Sequence, residues 1–314
     1  MKDPAQNIAG YAAKFLGELG PNGIEAFEPL KKMVESGNPY MASQALRSLV
    51  SIAPERALPM AFEWLESTDQ EHRSRAALLL TEFPTATPRM LDRLKQSTKD
   101  SDAKVARSAV EALKKLRQRE KEGGTYRVVI EGEPSYAGKP LGDWLKRKPN
   151  QEEVSKETKQ AFQAMGSNAI PSLLARLTYV DQKYGLWDYD ASLEATGGFF
   201  LLGARALPAL PSLEELINGD DEPIALFALI SCLNLGSNAV PVVARGLTNY
   251  FPDVRSESLH YLTDGPLTAF SDARRNAVPE IIKMLRDPEE SNRMNATNAL
   301  KEIDRNAAAK AGVK

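Results

Sequence analysis

One string recurs through the second half of the chain. Gly166-Ser167-Asn168-Ala169-Ile170-Pro171 leads into Ser172-Leu173-Leu174-Ala175-Arg176-Leu177, and Gly236-Ser237-Asn238-Ala239-Val240-Pro241 leads into Val242-Val243-Ala244-Arg245-Gly246-Leu247. Gly203-Ala204-Arg205-Ala206-Leu207-Pro208 and Arg275-Asn276-Ala277-Val278-Pro279 are looser copies, and Glu55-Arg56-Ala57-Leu58-Pro59 and Ala26-Phe27-Glu28-Pro29 are fainter ones. The marker prolines 171, 208, 241 and 279 stand 37, 33 and 38 residues apart, within the range of roughly 34 to 47 residues expected of helix-pair repeats. Each residue type has a job. The glycine ends a first helix where φ is positive, Ser167 and Ser237 are placed to cap the second helix, and the proline falls in that helix's first turn, where a missing N–H costs little. One pair cannot bury its own apolar face, so the pairs must stack.

The first half reads the same way with weaker punctuation. Ile8, Tyr11, Ala12, Phe15, Leu16 and Leu19 fall at helical spacing and predict one inward face. Gly20-Pro21-Asn22-Gly23 ends that helix, and Phe27, Leu30, Met33 and Val34 mark its partner. Asn38-Pro39, Thr68-Asp69-Gln70-Glu71 and Thr87-Pro88 are helix starts. A charged run from Lys114 to Glu122 closes this array at Gly123-Gly124. Residues 125–149 then break the pattern: Tyr126 to Ile130 is β-prone, and Pro140 to Lys148 predicts a short helix with Trp144 and Leu145 inward. The expected division is an N-terminal array over 1–124, an insert over 125–149 and a C-terminal array over 150–314. The tail from Asn306 to Lys314 is small and polar and is expected to fray.

Composition sets limits on function. With 42% hydrophobic and 26% charged residues the chain is of ordinary globular make-up, and its net charge of −2 supplies no global field toward nucleic acid or anionic membrane. The one cysteine, Cys232, sits in an apolar run and reads as a small buried hydrophobe. No run reaches the ~20 apolar residues of a membrane helix, and Met1-Lys2-Asp3-Pro4 has no signal-peptide core. The expectation is a cytoplasmic chain.

Asp253-Val254-Arg255, the series Asp102, Val105, Arg107, Leu113, and the Ala-aliphatic-Pro second helices resemble HEAT repeats. The resemblance covers about 5–124 and 150–304. Tyr136-Ala137-Gly138-Lys139-Pro140-Leu141 followed by Trp144-Leu145 is also similar to bacterial HEAT-repeat proteins of unknown function. It implies an all-α, right-handed α-α superhelix, an armadillo-like solenoid of about eight to nine helix pairs with a short irregular insert. It also implies a scaffold that binds a partner on its repeat surface.

The search for catalysis is negative. His72 and His260 lie in different arrays, one cysteine and two distant histidines give no zinc spacing, and no phosphate loop or nucleophile elbow occurs. No enzyme activity, metal or cofactor is expected. The best site candidate is the aromatic-acidic stretch Tyr179 to Asp190, with Tyr179, Asp181, Tyr184, Trp187, Asp188 and Tyr189 as partner-binding residues. Arg176 and Arg245 join them on the second-helix surface. The alternative is that the aromatics cover the solenoid ridge while the aspartates cap helices. A second feature is a basic segment from Arg89 to Lys121, continued by Lys139, Lys146, Arg147 and Lys148, which offers phosphate contacts without interleaved aromatics. The leading expectation is a non-enzymatic scaffold for a protein or peptide. The alternative is a nucleic-acid-binding protein, in the extreme a glycosylase-like one.

Overall fold

The structure is a computed structural model and describes residues 4–35, 38–123, 126, 128, 130–146 and 154–313. Among the described residues it is all-α apart from one hairpin of two-residue strands. The chain forms two compact units: unit 1 comprises Met1–Arg127 together with Asp181–Leu186, and unit 2 comprises Val128–Val180 together with Trp187–Lys314.

Unit 1 contains α1 (Pro4–Glu18), α2 (Phe27–Glu35), α3 (Pro39–Ile52), α4 (Pro54–Leu65), α5 (Gln70–Leu80), α6 (Pro88–Ser97) and α7 (Ala103–Glu122). The starts at Asn38 and Thr87 are where the sequence puts them, the box over 68–71 caps through Asp69 in place of Thr68, and Asp102 is a further cap that the sequence reading did not name. Asn38 Oδ1 accepts from Met41 N, Asp69 Oδ1 from Glu71 N, Thr87 Oγ1 from Met90 N and Asp102 Oδ1 from Lys104 N, satisfying donors that a helix start leaves orphaned. Leu30, Leu49, Leu79, Leu80, Leu94 and Leu113 form the centre of its core.

Helix α1 departs from expectation. Ile8, Tyr11, Phe15 and Leu19 are exposed, and the buried face is Gly10, Ala13 and Gly17. The reason is close approach. A Cβ on Gly17 would come within 3.0 Å of Ser48 Cα, and Ser48 and Ser51 donate their hydroxyls to the carbonyls of Ala13 and Gly17 at 2.8 Å. Small residues let α1 lie directly on α3, which turns the larger apolar residues outward.

Unit 2 opens with hairpin strands β1 (Ser135–Tyr136) and β2 (Lys139–Pro140), with Ser135 opposite Pro140, followed by α8 (Leu141–Leu145). Helices α9 (Lys156–Met165), α10 (Ile170–Leu177), α11 (Tyr189–Leu202), α12 (Leu210–Ile217), α13 (Glu222–Cys232), α14 (Val240–Gly246), α15 (Pro252–Thr263), α16 (Ser271–Arg275), α17 (Val278–Met284), α18 (Glu290–Ile303) and α19 (Arg305–Lys310) complete it. Helices α9, α11, α13, α15 and α18 form the first-helix layer, with the second helices α10, α12, α14 and α17 beneath. The described residues of the β-prone stretch, Tyr126, Val128 and Ile130, carry no strand; the hairpin lies later, where Ala137 (φ 50°) and Gly138 (φ 75°) make the turn. Leu145 is buried as expected and Trp144 is half-buried. Arg127, Val129, Arg147 and Lys148 lie outside the described residues.

The repeated string folds as its chemistry requires, with one correction. Gly166 and Gly203, with φ of 52° and 51°, end their helices, Gly236, with φ of 71°, lies three residues past the C-cap of α13, and the prolines sit in the first turns or just before them. Ser167 and Ser237 make no side-chain cap. A 3-10 turn over Gly166–Ala169 and over Gly236–Ala239 runs straight into the second helix, so backbone groups do the capping instead. The tail is also firmer than expected: α19 buries Ala308, and Asp304 caps it through Ala307 N at 2.9 Å.

Candidate functional site

The aromatic-acidic stretch serves both units. In unit 1, residues 181–186 close a tight turn: Asp181 N donates to Leu186 O at 2.9 Å, Gly185 N to Asp181 O at 2.7 Å, and Tyr184 N to Asp181 Oδ1 at 2.7 Å. Tyr184 is 1% exposed in the unit 1 core, with its hydroxyl 3.5 Å from Leu116 O. Burial, then the Glu120 carboxylate, push its phenol well above the usual range. Lys183 pairs with Glu120, and Lys95 Nζ donates to Gln182 O at 3.2 Å. Asp181 and Tyr184 are therefore internal to unit 1 and present nothing to a partner, which corrects their assignment as binding residues.

In unit 2, Val180 and Trp187 form an isolated antiparallel bridge, and Asp188 N donates to Tyr179 O at 2.9 Å. Asp188 is buried as the N-cap of α11, its Oδ1 accepting from Asp190 N and Ala191 N at 2.9 and 3.2 Å. This too corrects a proposed contact residue to a structural one. Trp187 is half-buried, donating Nε1–H to Leu177 O at 3.0 Å. Tyr179 is half-buried, and Tyr189 is 55% exposed, its ring edge-on to Phe227 at 5.1 Å.

Arg176 is also corrected from surface to interior. It is 1% exposed, pairing with Glu133 through Nε and Nη2 and with Glu194 through Nη1 at 3.1 Å. Glu133 Oε2 accepts from Gly142 N at 3.0 Å. A Cβ on Gly142 would overlap the guanidinium, so glycine is needed there for close approach. Burial raises the Glu194 pKa, opposed by Arg176. The cluster ties the hairpin segment to α10 and α11. Nothing in the sequence marked Glu133 as the counterion, because the pairing spans 43 residues. Arg245 does lie at the surface, on the second-helix layer, with Nε 3.3 Å from Glu214 Oε1.

A different surface stands out once the helices are placed. On α11, Tyr189, Leu193 and Phe200 share one outward face and are 55%, 52% and 60% exposed. The neighbouring α13 adds Ile230, 38% exposed, with Leu226 half-buried beside it. Helices that are apolar all round are ordinarily buried on every side; these two lie in the outer layer. Their first-helix neighbours α9 and α15 present Lys156, Lys159 and Gln163, and Asp253, Glu257 and His260. The signal in the sequence was the absence of a 3.6-residue polar period across 191–202 and 224–235.

The basic segment is largely engaged within unit 1. Arg93 pairs with Glu66 at 2.7 Å, Lys104 with Glu71 and Lys114 with Glu111 at 2.9 Å. Arg89 lies over the Phe62 ring at 4.6 Å, and Arg119 donates to Phe83 O at 3.0 Å. His72 stacks on Trp64 with centroids 5.1 Å apart, and His260 lies at the surface of α15, 3.8 Å from Asp264. Cys232 is fully buried, which pushes its thiol up to about 12. Among the described residues no group of three or more His, Cys, Asp or Glu is placed to hold a metal ion, and no helix is long and apolar enough to cross a membrane.

A family model described as HEAT repeats matches residues 27–114, a stretch spanning α2 to α7. Over that stretch the chain is similar to HEAT repeats. Stacked helices build both units. Among solved structures, the chain is similar to an engineered protein at 17% identity, covering 80% of this chain and 97% of that one with a TM-score of 0.31. It is similar to human deoxyhypusine hydroxylase in complex with glycerol at 20% identity, covering 97% and 92% with a TM-score of 0.34. It is also similar to Escherichia coli YibA at 15% identity, covering 88% and 92% with a TM-score of 0.33. No curated protein matches the sequence.

Proposed function

We propose that this chain is a non-enzymatic binding scaffold that takes a protein or peptide partner on the outer face of α11 and α13. The observation that carries this reading is the exposure of Tyr189, Leu193, Phe200 and Ile230 on two adjacent helices of unit 2. Contiguous exposed apolar residues rimmed by polar ones mark interaction surfaces on folded proteins, and an aromatic with a polar tip, such as Tyr189, suits the centre of an interface. The outer layer bears the surface, in place of the second-helix layer expected from the repeat resemblance. There Arg245 pairs with Glu214 and Lys283 with Glu280.

The basic segment lends the nucleic-acid reading little support, because its cations face carboxylates, carbonyls and rings of their own unit. The test is affinity capture from the source cell with the full chain and with a Phe200→Asp/Ile230→Asp variant, read by mass spectrometry. The expected result is one or more proteins captured by the parent chain and lost by the variant, with thermal unfolding unchanged. Identical captured sets would overturn the reading.

A further inference from the structure

The α11/α13 face also carries a charge signature, and with it a statement about the partner. We propose that this face binds an amphipathic helix of a partner protein whose polar side is basic. The inference rests on the docking reading above and adds the chemistry of the occupant.

Shape argues for a helix. Adjacent packed helices lie about 8–10 Å apart, so two parallel apolar ridges bound a groove that a third helix fills with residues at i, i+3, i+4 and i+7. Tyr189 in the first turn of α11 meets Phe227 midway along α13, which sets the start of α11 beside the middle of α13. The apolar surface is two helices wide: polar residues of α9 and α15 stand on either side.

Charge argues for a basic partner. Between Tyr184 and Ala244 the chain has eight acidic residues and one cation, Arg205. The acids are not spread evenly. Asp190 is exposed in the first turn of α11, Asp220 and Asp221 are exposed just before α13, and Glu222 begins it. Glu194, also on α11, faces Arg176 and feels Lys146, so it belongs to the buried cluster and is left out of the rim. The face is thus acidic about the starts of α11 and α13 and apolar at Leu193, Phe200 and Ile230, with Lys156 and Lys159 of α9 along one edge and Asp253 of α15 along the other. Complementary potentials set which partner docks and how fast. The same acids oppose the negative surface of anionic membranes, which favours a protein over a lipid occupant.

The experiment uses the full chain and two synthetic amphipathic peptides of the same Leu pattern, one with Lys and one with Glu on the polar face, titrated by calorimetry. The expected result is binding of the Leu/Lys peptide only. Its affinity falls by about tenfold in an Asp190→Asn/Asp221→Asn/Glu222→Gln variant and weakens as salt is raised. Asn at 221 keeps the helix cap, and circular dichroism checks the fold. If both peptides bind alike, or the neutralised variant binds Leu/Lys undiminished, the basic-partner inference fails. The docking reading then survives only if Phe200→Asp/Ile230→Asp still abolishes binding. If neither peptide binds, the inference fails outright. If zwitterionic vesicles bind the parent chain and not the Phe200→Asp/Ile230→Asp variant, the occupant is a lipid surface and the inference is overturned.

Discussion

Arg255 and Asp287, 32 residues apart in unit 2, are joined by two parallel hydrogen bonds, Nε to Oδ2 at 2.6 Å and Nη2 to Oδ1 at 2.8 Å. The remaining nitrogen, Nη1, donates to the carbonyls of Asn249 and Tyr250 at 3.0 and 2.9 Å. Arg73 and Asp100 in unit 1 do the same, Nε to Oδ2 at 2.8 Å and Nη2 to Oδ1 at 3.0 Å, with Nη1 donating to Ser67 O and Thr68 O. An arginine in a first helix thus grips the loop before its helix and the aspartate that follows its second helix. Planar guanidinium geometry suits this double task.

Removing one member leaves the other buried and unpaired. Arg255→Met is expected to destabilise by about 3–5 kcal/mol, and the double change Arg255→Met/Asp287→Leu by distinctly less, because a well-packed apolar pair restores most of the loss. Urea unfolding of the single and double variants checks this; equal losses would contradict it.

These pairs also set the acid limb of stability. The hydrogen bonds from Arg255 and Arg73 hold the Asp287 and Asp100 carboxyls below their ordinary 3.8. A carboxylate whose folded pKa is depressed contributes stability above its unfolded pKa and loses it as pH falls through the folded value. Stability is therefore expected to drop below about pH 4, and more shallowly in an Asp100→Asn/Asp287→Asn variant. Denaturant midpoints measured between neutral pH and the acid limb test the slope.

Gly142→Ala places a methyl group against the Arg176 guanidinium and close to Glu133. Overpacking of this kind costs about 1–3 kcal/mol. The loss is expected to shrink when Arg176 is shortened in the same chain, which a double-mutant cycle by thermal unfolding measures.

Phe199 and Phe200 are neighbours in sequence with opposite environments, one fully buried and the other 60% exposed. Phe199→Ala is expected to cost about 3–5 kcal/mol, and Phe200→Ala to stay within about 0.5 kcal/mol of the parent. Comparable losses at both positions would mean that Phe200 is not on an open face.

The Cys232 thiol, pushed up to about 12 by burial on α13, holds almost no thiolate at neutral pH. Its reaction with an aromatic disulfide reagent is expected to be slow in the folded chain and to become fast in denaturant. Fast labelling under native conditions would show that α13 opens locally.

The repeat scaffold was legible because it is local chemistry. The glycines at 166, 203 and 236, the prolines that follow and the caps at Asn38, Asp69 and Thr87 each act within a few residues of themselves. The site was legible only in part. Tyr189 was named, and it is exposed. Asp181, Tyr184, Asp188 and Arg176 were named too and are interior, because aromatic and acidic composition cannot distinguish a contact residue from a buried tyrosine and two turn-closing aspartates. The orientation of α1 was misread for a related reason: Gly10, Ala13 and Gly17 win the inner face by allowing close approach, although Phe15 and Leu19 are more apolar. Leu193, Phe200 and Ile230 were hidden inside runs so uniformly apolar that no face could be assigned from the sequence.

The six residues 181–186 carry a consequence for how the molecule is made. They belong to unit 1, yet on either side the chain belongs to unit 2. A ribosome extruding the chain from its N-terminus has finished every helix of unit 1 by residue 122, but Tyr184, which completes that core, is then still untranslated. That core lacks one of its buried aromatic side chains until about 60 further residues have been made, some seconds of synthesis. Completion of the first unit's core is in this sense timed by translation of the second.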